Sequence, residues 1–191
     1  MGNREIYASD ESYKLCKVSE EDKENYIKLL KETTFMPKFY DNQMYCDIMW
    51  KGAMEGNTRE FSIFDKNENY CGNIVIKYSW TEHPEIGIDI VGRYRNQGIA
   101  PKAIKMLARK AYEEHPVPYY FLRVSSQNLH SKHVIEKLGG VLDDTTEDLF
   151  LKHIRNVFGE EKYKEMIEWA KEQADDEVIY QYRYLPEFFL K

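Results

Sequence analysis

Six basic side chains and no acidic one lie between Ile90 and Tyr112: Arg93, Arg95, Lys102, Lys105, Arg109 and Lys110. The 191-residue chain has a formal charge of −6; this window alone carries +6, so the remaining residues sum to −12. A basic island on an acidic protein suits a small anionic ligand better than a nucleic-acid surface. Within it, Gly98 and Ala100 precede Pro101 and an amphipathic stretch. The first free N–H groups of a helix point at whatever sits before it, and the helix dipole favours negative charge there. A phosphate is the natural occupant.

The spacing excludes two common phosphate binders. There is no G-x-x-x-x-G-K-[ST] and no G-x-G-x-x-G. What stands instead is R-x-x-G-x-A, written Arg95, Asn96, Gln97, Gly98, Ile99, Ala100. Glu85 opens the apolar run before this loop, with Glu82 and His83 close upstream. Any of the three could accept a proton, and each could equally be a surface group. Further on, Asn128, Ser131 and the run Glu136–Lys137–Leu138–Gly139 follow at fixed spacing. Asn128 and Ser131 also suit capping of a short helix.

The elements that must position these groups can be read from pattern. Residues 13–18 alternate weakly and predict an opening strand. Ser19 with Asp22 resembles a capping box at the start of a helix. Residues 42–55 are predicted helical. The runs 60–65 and 70–80, joined by a turn-forming Lys66–Asn67–Glu68–Asn69, predict a hairpin. A strand over 85–91 leads into the loop, then into a helix with Pro101 at its first position and Pro116 as its stop. Ile104, Leu107, Ala108 and Ala111 form that helix's apolar face. A strand over 119–126, a helix ended by Gly139 and Gly140, a short strand at 141–145, a helical insertion at 146–173 and a closing strand over 177–185 complete a mixed α/β domain. The expected division is an N-terminal tail, 1–11, and a single domain, 12–191.

Composition narrows the class further. Apolar residues make up 42% of the chain, enough for a sizeable core, and no stretch approaches the roughly 20 apolar residues needed to cross a bilayer. The N-terminus is polar, and Ile6 breaks the M-G-x-x-x-[ST] myristoylation pattern. Cys16, Cys46 and Cys71 lack paired spacing and read as free thiols of a cytoplasmic protein; no metal site is expected.

The combination of Glu85–Ile86–Gly87, the R-x-x-G-x-A loop and the N-x-x-S…E-K-L-G stretch resembles the GNAT superfamily of N-acetyltransferases. The N-x-x-S…E-K-L-G form is most similar to its RimJ/RimL-like branch. The resemblance implies a mixed, mostly antiparallel sheet flanked by helices, with a splayed strand pair at the cofactor site. It implies acetyl-CoA as co-substrate and transfer of acetyl to a primary amine by direct attack. Arg95, Asn96, Gln97, Gly98, Ile99 and Ala100 would hold the pyrophosphate. The backbone of Ile88, Ile90 and Val91 would pair with the pantetheine arm, with Asn128 nearby. Arg93, Lys102 and Lys132 are candidates for the 3′-phosphate. Glu85 matches a family glutamate that often serves as base, with Glu82, His83 or water as alternatives.

The family's usual tyrosine before E-K-x-G is Ile135 here, which offers no hydroxyl. Ser131 could replace it as the acid. That departure keeps open a second reading, a non-catalytic acyl-CoA-binding sensor. The acceptor side would be built from residues 35–58 and 141–186, rich in aromatics and acids: Phe35, Phe39, Tyr40, Tyr45, Trp50, Asp143, Asp144, Trp169 and Tyr180. An acidic, aromatic cleft attracts a cationic amine, although core packing would also explain these aromatics. The expected partners are acetyl-CoA and an amine acceptor, without nucleic acid or membrane. The 146–173 insertion would cover the acceptor cleft or form a homodimer contact.

Overall fold

The computed structural model describes residues 4–34, 37–143, 159–161, 164 and 179–191. Most of the insertion expected at 146–173 lies outside them, as do Phe35, Asp144 and Trp169. Thirteen elements frame the site. They are β1 (Ile6–Ser9), β2 (Tyr13–Lys17), α1 (Lys23–Thr33), α2 (Gln43–Glu55), β3 (Arg59–Asp65), β4 (Tyr70–Lys77) and β5 (Glu85–Ile90), then α3 (Ile99–Glu114), β6 (Tyr120–Ser125), α4 (Leu129–Lys137), β7 (Val141–Leu142), β8 (Ile179–Tyr184) and α5 (Pro186–Phe189). The strands form one sheet in the order β1-β2-β3-β4-β5-β6-β8-β7. Every pairing is antiparallel except β5 with β6.

Residues 4–11 are not a loose tail, in contrast to the expectation. Ile6–Ser9 pairs with β2, and Tyr7 stacks on Phe61 with ring centroids 4.4 Å apart. Four residues are too few for their alternation to stand out, so only the edge of the sheet decides this strand.

Alternation along the strands separates two layers. Ile74, Ile76 and Ile86 turn to one face, where Ala103, Ile104, Leu107 and Ala108 of α3 complete the main core. Burying each large aliphatic side chain there contributes roughly 2 kcal/mol. The other face carries Ser62, Asn73 and Asp89, aligned across three strands by the pairs Ser62↔Asn73 and Asn73↔Asp89. This is the α1 side: Ser62 Oγ donates to Asp22 Oδ2 at 2.9 Å, and Asp22 is fully buried just before α1. Ser19 and Asp22 form the predicted capping box.

Strands β5 and β6 share a single register pair, Glu85↔Phe121, next to the bond Phe121 N→Pro84 O. Beyond it the strands part, because parallel strands joined through α3 are held together only where their ladder forms. The result is a V-shaped opening with backbone on both walls.

Candidate active site

The opening between β5 and β6 is the mouth of a groove of about 900 Å³. Its floor is the apolar row Ile86, Ile88, Ile90 and Leu122, with Ile99 and Ile104 of α3 beneath. At the wide end the chain turns through Val91–Ala100 into α3. Two residues there have left-handed backbone, Asn96 at φ 62° and Gly98 at φ 74°. Alternating handedness of this kind turns successive N–H groups toward one point, a nest for an anion.

Gly98 is the N-cap of α3, and a Cβ built on it would meet nothing within 4 Å. The protein therefore leaves open space at the helix N-terminus, where a phosphate fits. Helix α3 begins at Ile99, which places Pro101 third in the helix and not first as predicted. Proline is still harmless there, since the first-turn amides have no intrahelical acceptor.

The loop is braced from behind. Arg95 Nε donates to Ile90 O at 3.0 Å, and its guanidinium lies 3.4 Å from Glu32 Oε1. The same Glu32 oxygen accepts from Gly92 N at 2.8 Å. Gln97 Nε2 donates to Arg93 O. The side chains of Arg95 and Gln97 thus hold the loop's shape, and its backbone is left to face the groove.

Of the expected cofactor-side residues, Ile88, Ile90, Arg95, Asn96, Gly98, Ile99, Ala100, Asn128 and Ser131 all line this groove; Gln97 and Val91 are not among its lining residues. The 3′-phosphate candidates fall elsewhere. Lys102 bonds Ser12 Oγ on the far side of α3, Arg93 lies over Tyr94, and Lys132 lies over Tyr180. The cationic residues that do line the groove are Arg95, Arg123 and Lys137, joined by His130 and His133. Asn128 is the N-cap of α4, its side chain accepting from Ser131 N at 3.0 Å. Ser131 therefore is not the cap, and its hydroxyl is not used by that bond. Ile135 is 6% exposed and packs in the core, with no hydroxyl at that point of the wall.

Glu85 sits at the narrow end. Its side chain is 4% exposed and held between two cations: Lys77 Nζ at 2.9 Å from Oε1 and Arg123 Nε at 2.7 Å from Oε2. The Arg123 contact is close in charge but off-line for a hydrogen bond. Neither cation was visible as a partner in the sequence, because Lys77 is eight positions away and Arg123 is on the next strand. Among the alternatives, His83 stacks flat on Tyr119 at 4.6 Å, and Glu82 is exposed. Of the expected acceptor aromatics, Trp50 is core, 4% exposed with Nε1 bonded to Glu20 Oε2, whereas Phe39 is half exposed.

Three polar side chains that the sequence reading passed over stand on the α1 side of the groove. Asp89 lines it beside Thr33. Burial raises the proton affinity of its carboxyl, against the pull of Thr33, Lys77 and Arg95. Glu60, on β3, is pushed up to about 7 by burial, with Asn73, Thr58 and Lys77 opposing. Asn73, on β4, stands opposite Asp89 in the register, and its side chain acts on the Glu60 carboxyl. An aspartate inside the apolar strand Ile86–Ile90 was the one available signal, since a strand facing only core would exclude it.

The amino-acid sequence matches the family model described as the acetyltransferase (GNAT) domain over residues 14–141. The chain belongs to the GNAT acetyltransferase family. Members of this family are acetyl-CoA-dependent N-acetyltransferases, and acetyl-CoA is the co-substrate. Solved structures share the GNAT fold. A mutant of the spermidine N-acetyltransferase SpeG from Vibrio cholerae superposes with TM-score 0.66 at 13% identity, covering 95% of this chain and 98% of that one. The Vibrio cholerae enzyme in complex with CoA and spermine gives 0.58 at 17%, covering 70% and 83%. The microcin C7 self-immunity acetyltransferase MccE, in complex with acetyl-CoA and AMP, gives 0.59 at 15%, covering 70% and 81%. No curated protein matches the chain. The GNAT groove described above suits the co-substrate chemically: a nest and helix N-terminus for the pyrophosphate, and unpaired strand backbone for an amide-bearing arm.

Proposed function

We propose that this GNAT protein transfers acetyl from acetyl-CoA to a primary amine by direct attack of the amine on the thioester. The observation that carries the reading is the opening between β5 and β6, which leads from the single pair Glu85↔Phe121 to the vacant space over Gly98. Pyrophosphate would be held by the backbone of Arg95, Asn96, Gln97, Gly98, Ile99 and Ala100. The arm would pair with Ile88, Ile90 and Val91 and pass Asn128. The acetyl end then reaches the narrow part of the V.

Glu85 and Ser131 flank the reacting centre in this reading. Ser131 supplies a hydroxyl toward the departing thiolate, in place of the tyrosine that Ile135 replaces. A CoA thiolate is a tolerable leaving group near neutral pH, since thiols ionise around pH 8–9. Glu85, with Lys77 and Arg123, fixes the charge pattern at the strand junction. The acceptor comes from the α1 side, where Asp89 and Glu60 offer negative charge to a cationic amine. Acceptors of that kind include a protein N-terminus of the RimJ/RimL type and small amines; SpeG, whose fold is shared, is named for spermidine.

Among the described residues no helix is long and apolar enough to cross a membrane, which fits a cytoplasmic enzyme. The deciding experiment is acetyl-CoA binding by calorimetry, followed by thiol release against polyamines, aminoglycosides and peptides beginning with Ala or Ser. Binding with thiol release supports the enzyme. Binding without release from any amine favours a sensor, the reading that the loss of the tyrosine at Ile135 leaves open.

A further inference from the structure

We propose that Asp89 and Glu60, with Asn73 between them, form the proton-accepting station on the amine side of the groove. The proposal rests on the amine-acetylation reading above and goes beyond it by naming where the ammonium proton goes. The need is chemical. An amine arrives as R–NH3+ and has no lone pair until it loses a proton. Glu85, the carboxylate nearest the strand junction, has each oxygen engaged by a cation, Lys77 on one side and Arg123 on the other.

Geometry points to the other two carboxylates. The sheet register sets Glu60 opposite Val75, and Val75 opposite Gly87. At a strand spacing of about 4.8 Å, Glu60 and Gly87 are roughly 10 Å apart along the sheet. Gly87 has no side chain, and a Cβ there would sit 3.1 Å from Val75 and 3.4 Å from Lys77 Nζ. Gly87 is therefore where the Val75 and Lys77 side chains pack against β5. The carboxyl that meets the groove is that of Asp89.

A second observation concerns Asn73. It is 6% exposed, stands opposite Asp89 in the register, and its side chain acts on the Glu60 carboxyl against the effect of burial, so it links the two carboxylates. The groups facing the pair come from every element packed on it. Tyr26 faces it from α1, Thr33 from the end of α1, Tyr40 from the segment between α1 and α2, Tyr70 and Lys77 from β4, and Arg95 from the loop; Thr58 precedes β3. Burial raises the proton affinity of these carboxyls, while Lys77, and for Asp89 also Arg95, lower it.

The step balances as follows. One N–H bond of R–NH3+ breaks, and its proton passes to the Asp89–Glu60 pair. The freed lone pair attacks the thioester carbonyl carbon, forming C–N. Collapse breaks C–S, and the second proton leaving nitrogen goes to the CoA thiolate. The carboxylate pair then returns its proton to solvent. Acetyl-CoA and R–NH3+ become the N-acetyl amine, CoA thiol and H+.

The test measures kcat/KM against pH for wild type, Glu60→Gln and Asp89→Asn, with spermidine, an aminoglycoside and a peptide beginning with Ala as acceptors. Acetyl-CoA affinity is measured in parallel by calorimetry. Carboxyl-carbon NMR follows the side-chain titrations without any acceptor. The expected wild-type rate rises with an inflection near neutral pH. Both variants should lose about 100-fold at neutral pH, together with that inflection, while acetyl-CoA affinity stays unchanged. One carboxyl resonance should titrate near neutrality and vanish in Glu60→Gln. An inflection that survives in both variants, or a Glu60 carboxyl titrating at the ordinary value of about 4.3, overturns the proposal. Wild-type protein that binds acetyl-CoA and acetylates no amine overturns the acetyl-transfer reading instead.

Discussion

Glu85 Oε2 lies 2.7 Å from Arg123 Nε, and this contact ties β5 to β6 beside the pair Glu85↔Phe121, just before the strands separate. With Lys77 at 2.9 Å from the other oxygen, one buried carboxylate is shared by two cations on neighbouring strands. The contact acts as the hinge pin of the V. If it fails, the two walls of the groove lose their fixed separation at the end where the acetyl group would lie.

Glu85→Ala should therefore destabilise the fold by about 3 kcal/mol, because Lys77 and the partly buried Arg123 both lose the carboxylate they share. Chemical denaturation at pH 7 measures this. Replacing both residues, Glu85→Ala with Arg123→Met, should recover part of the loss, since of the two cations only Lys77 then lacks the carboxylate. Equal stability of the single and double variants would show that the contact contributes little.

Gly98→Glu should abolish acetyl-CoA binding. The substitution puts bulk and negative charge into the space over the α3 N-terminus and strains a backbone at φ 74°. Gly98→Ala isolates the strain, which costs about 1–2 kcal/mol in the left-handed region. Calorimetry should find weaker acetyl-CoA binding in the alanine variant and none in the glutamate variant. Unchanged affinity in Gly98→Glu would remove the phosphate cradle from this loop.

Glu60→Gln should stabilise the protein above neutral pH. The Glu60 carboxyl is raised in the fold to about 7 from the ordinary 4.5, so the native state holds a proton that the unfolded chain has already released. Its contribution is fully present below about pH 4.5 and is lost as pH rises to about 7. The total is at most roughly 3 kcal/mol. Denaturation midpoints measured from pH 4 to pH 8 should fall across that window in wild type, and fall less in Glu60→Gln.

Ser131→Ala should leave α4 intact, because the cap bond uses the backbone N–H of Ser131 and the side chain of Asn128. Asn128→Ala removes that acceptor and should cost about 1 kcal/mol. If the Ser131 hydroxyl assists the departing thiolate, Ser131→Ala lowers kcat with KM for acetyl-CoA unchanged. A kcat equal to wild type would leave thiolate departure unassisted by this residue.

Local signals in the chain sufficed for the core elements and the phosphate loop. The hairpin of β3 and β4 follows from two apolar runs around a turn-forming tetrapeptide, and α3 from a 3.6-residue apolar stripe. Gly98 was legible because left-handed backbone before a helix demands a residue without Cβ. β1 was missed because four residues carry too little periodicity, and Pro101 was placed two positions early because loop and helix backbone merge at Gly98.

By itself, then, the sequence determined the order of elements, the basic loop and the groups able to bind a phosphate, since these depend on neighbours within a few residues. Only the tertiary structure decided which groups surround each carboxylate. Glu85 has Lys77 and Arg123 upon it, and Glu60, Asn73 and Asp89 become one cluster, through pairings across β3, β4, β5 and β6. Burial and charge neighbours set a carboxylate's affinity for a proton, and both come from residues distant in the chain.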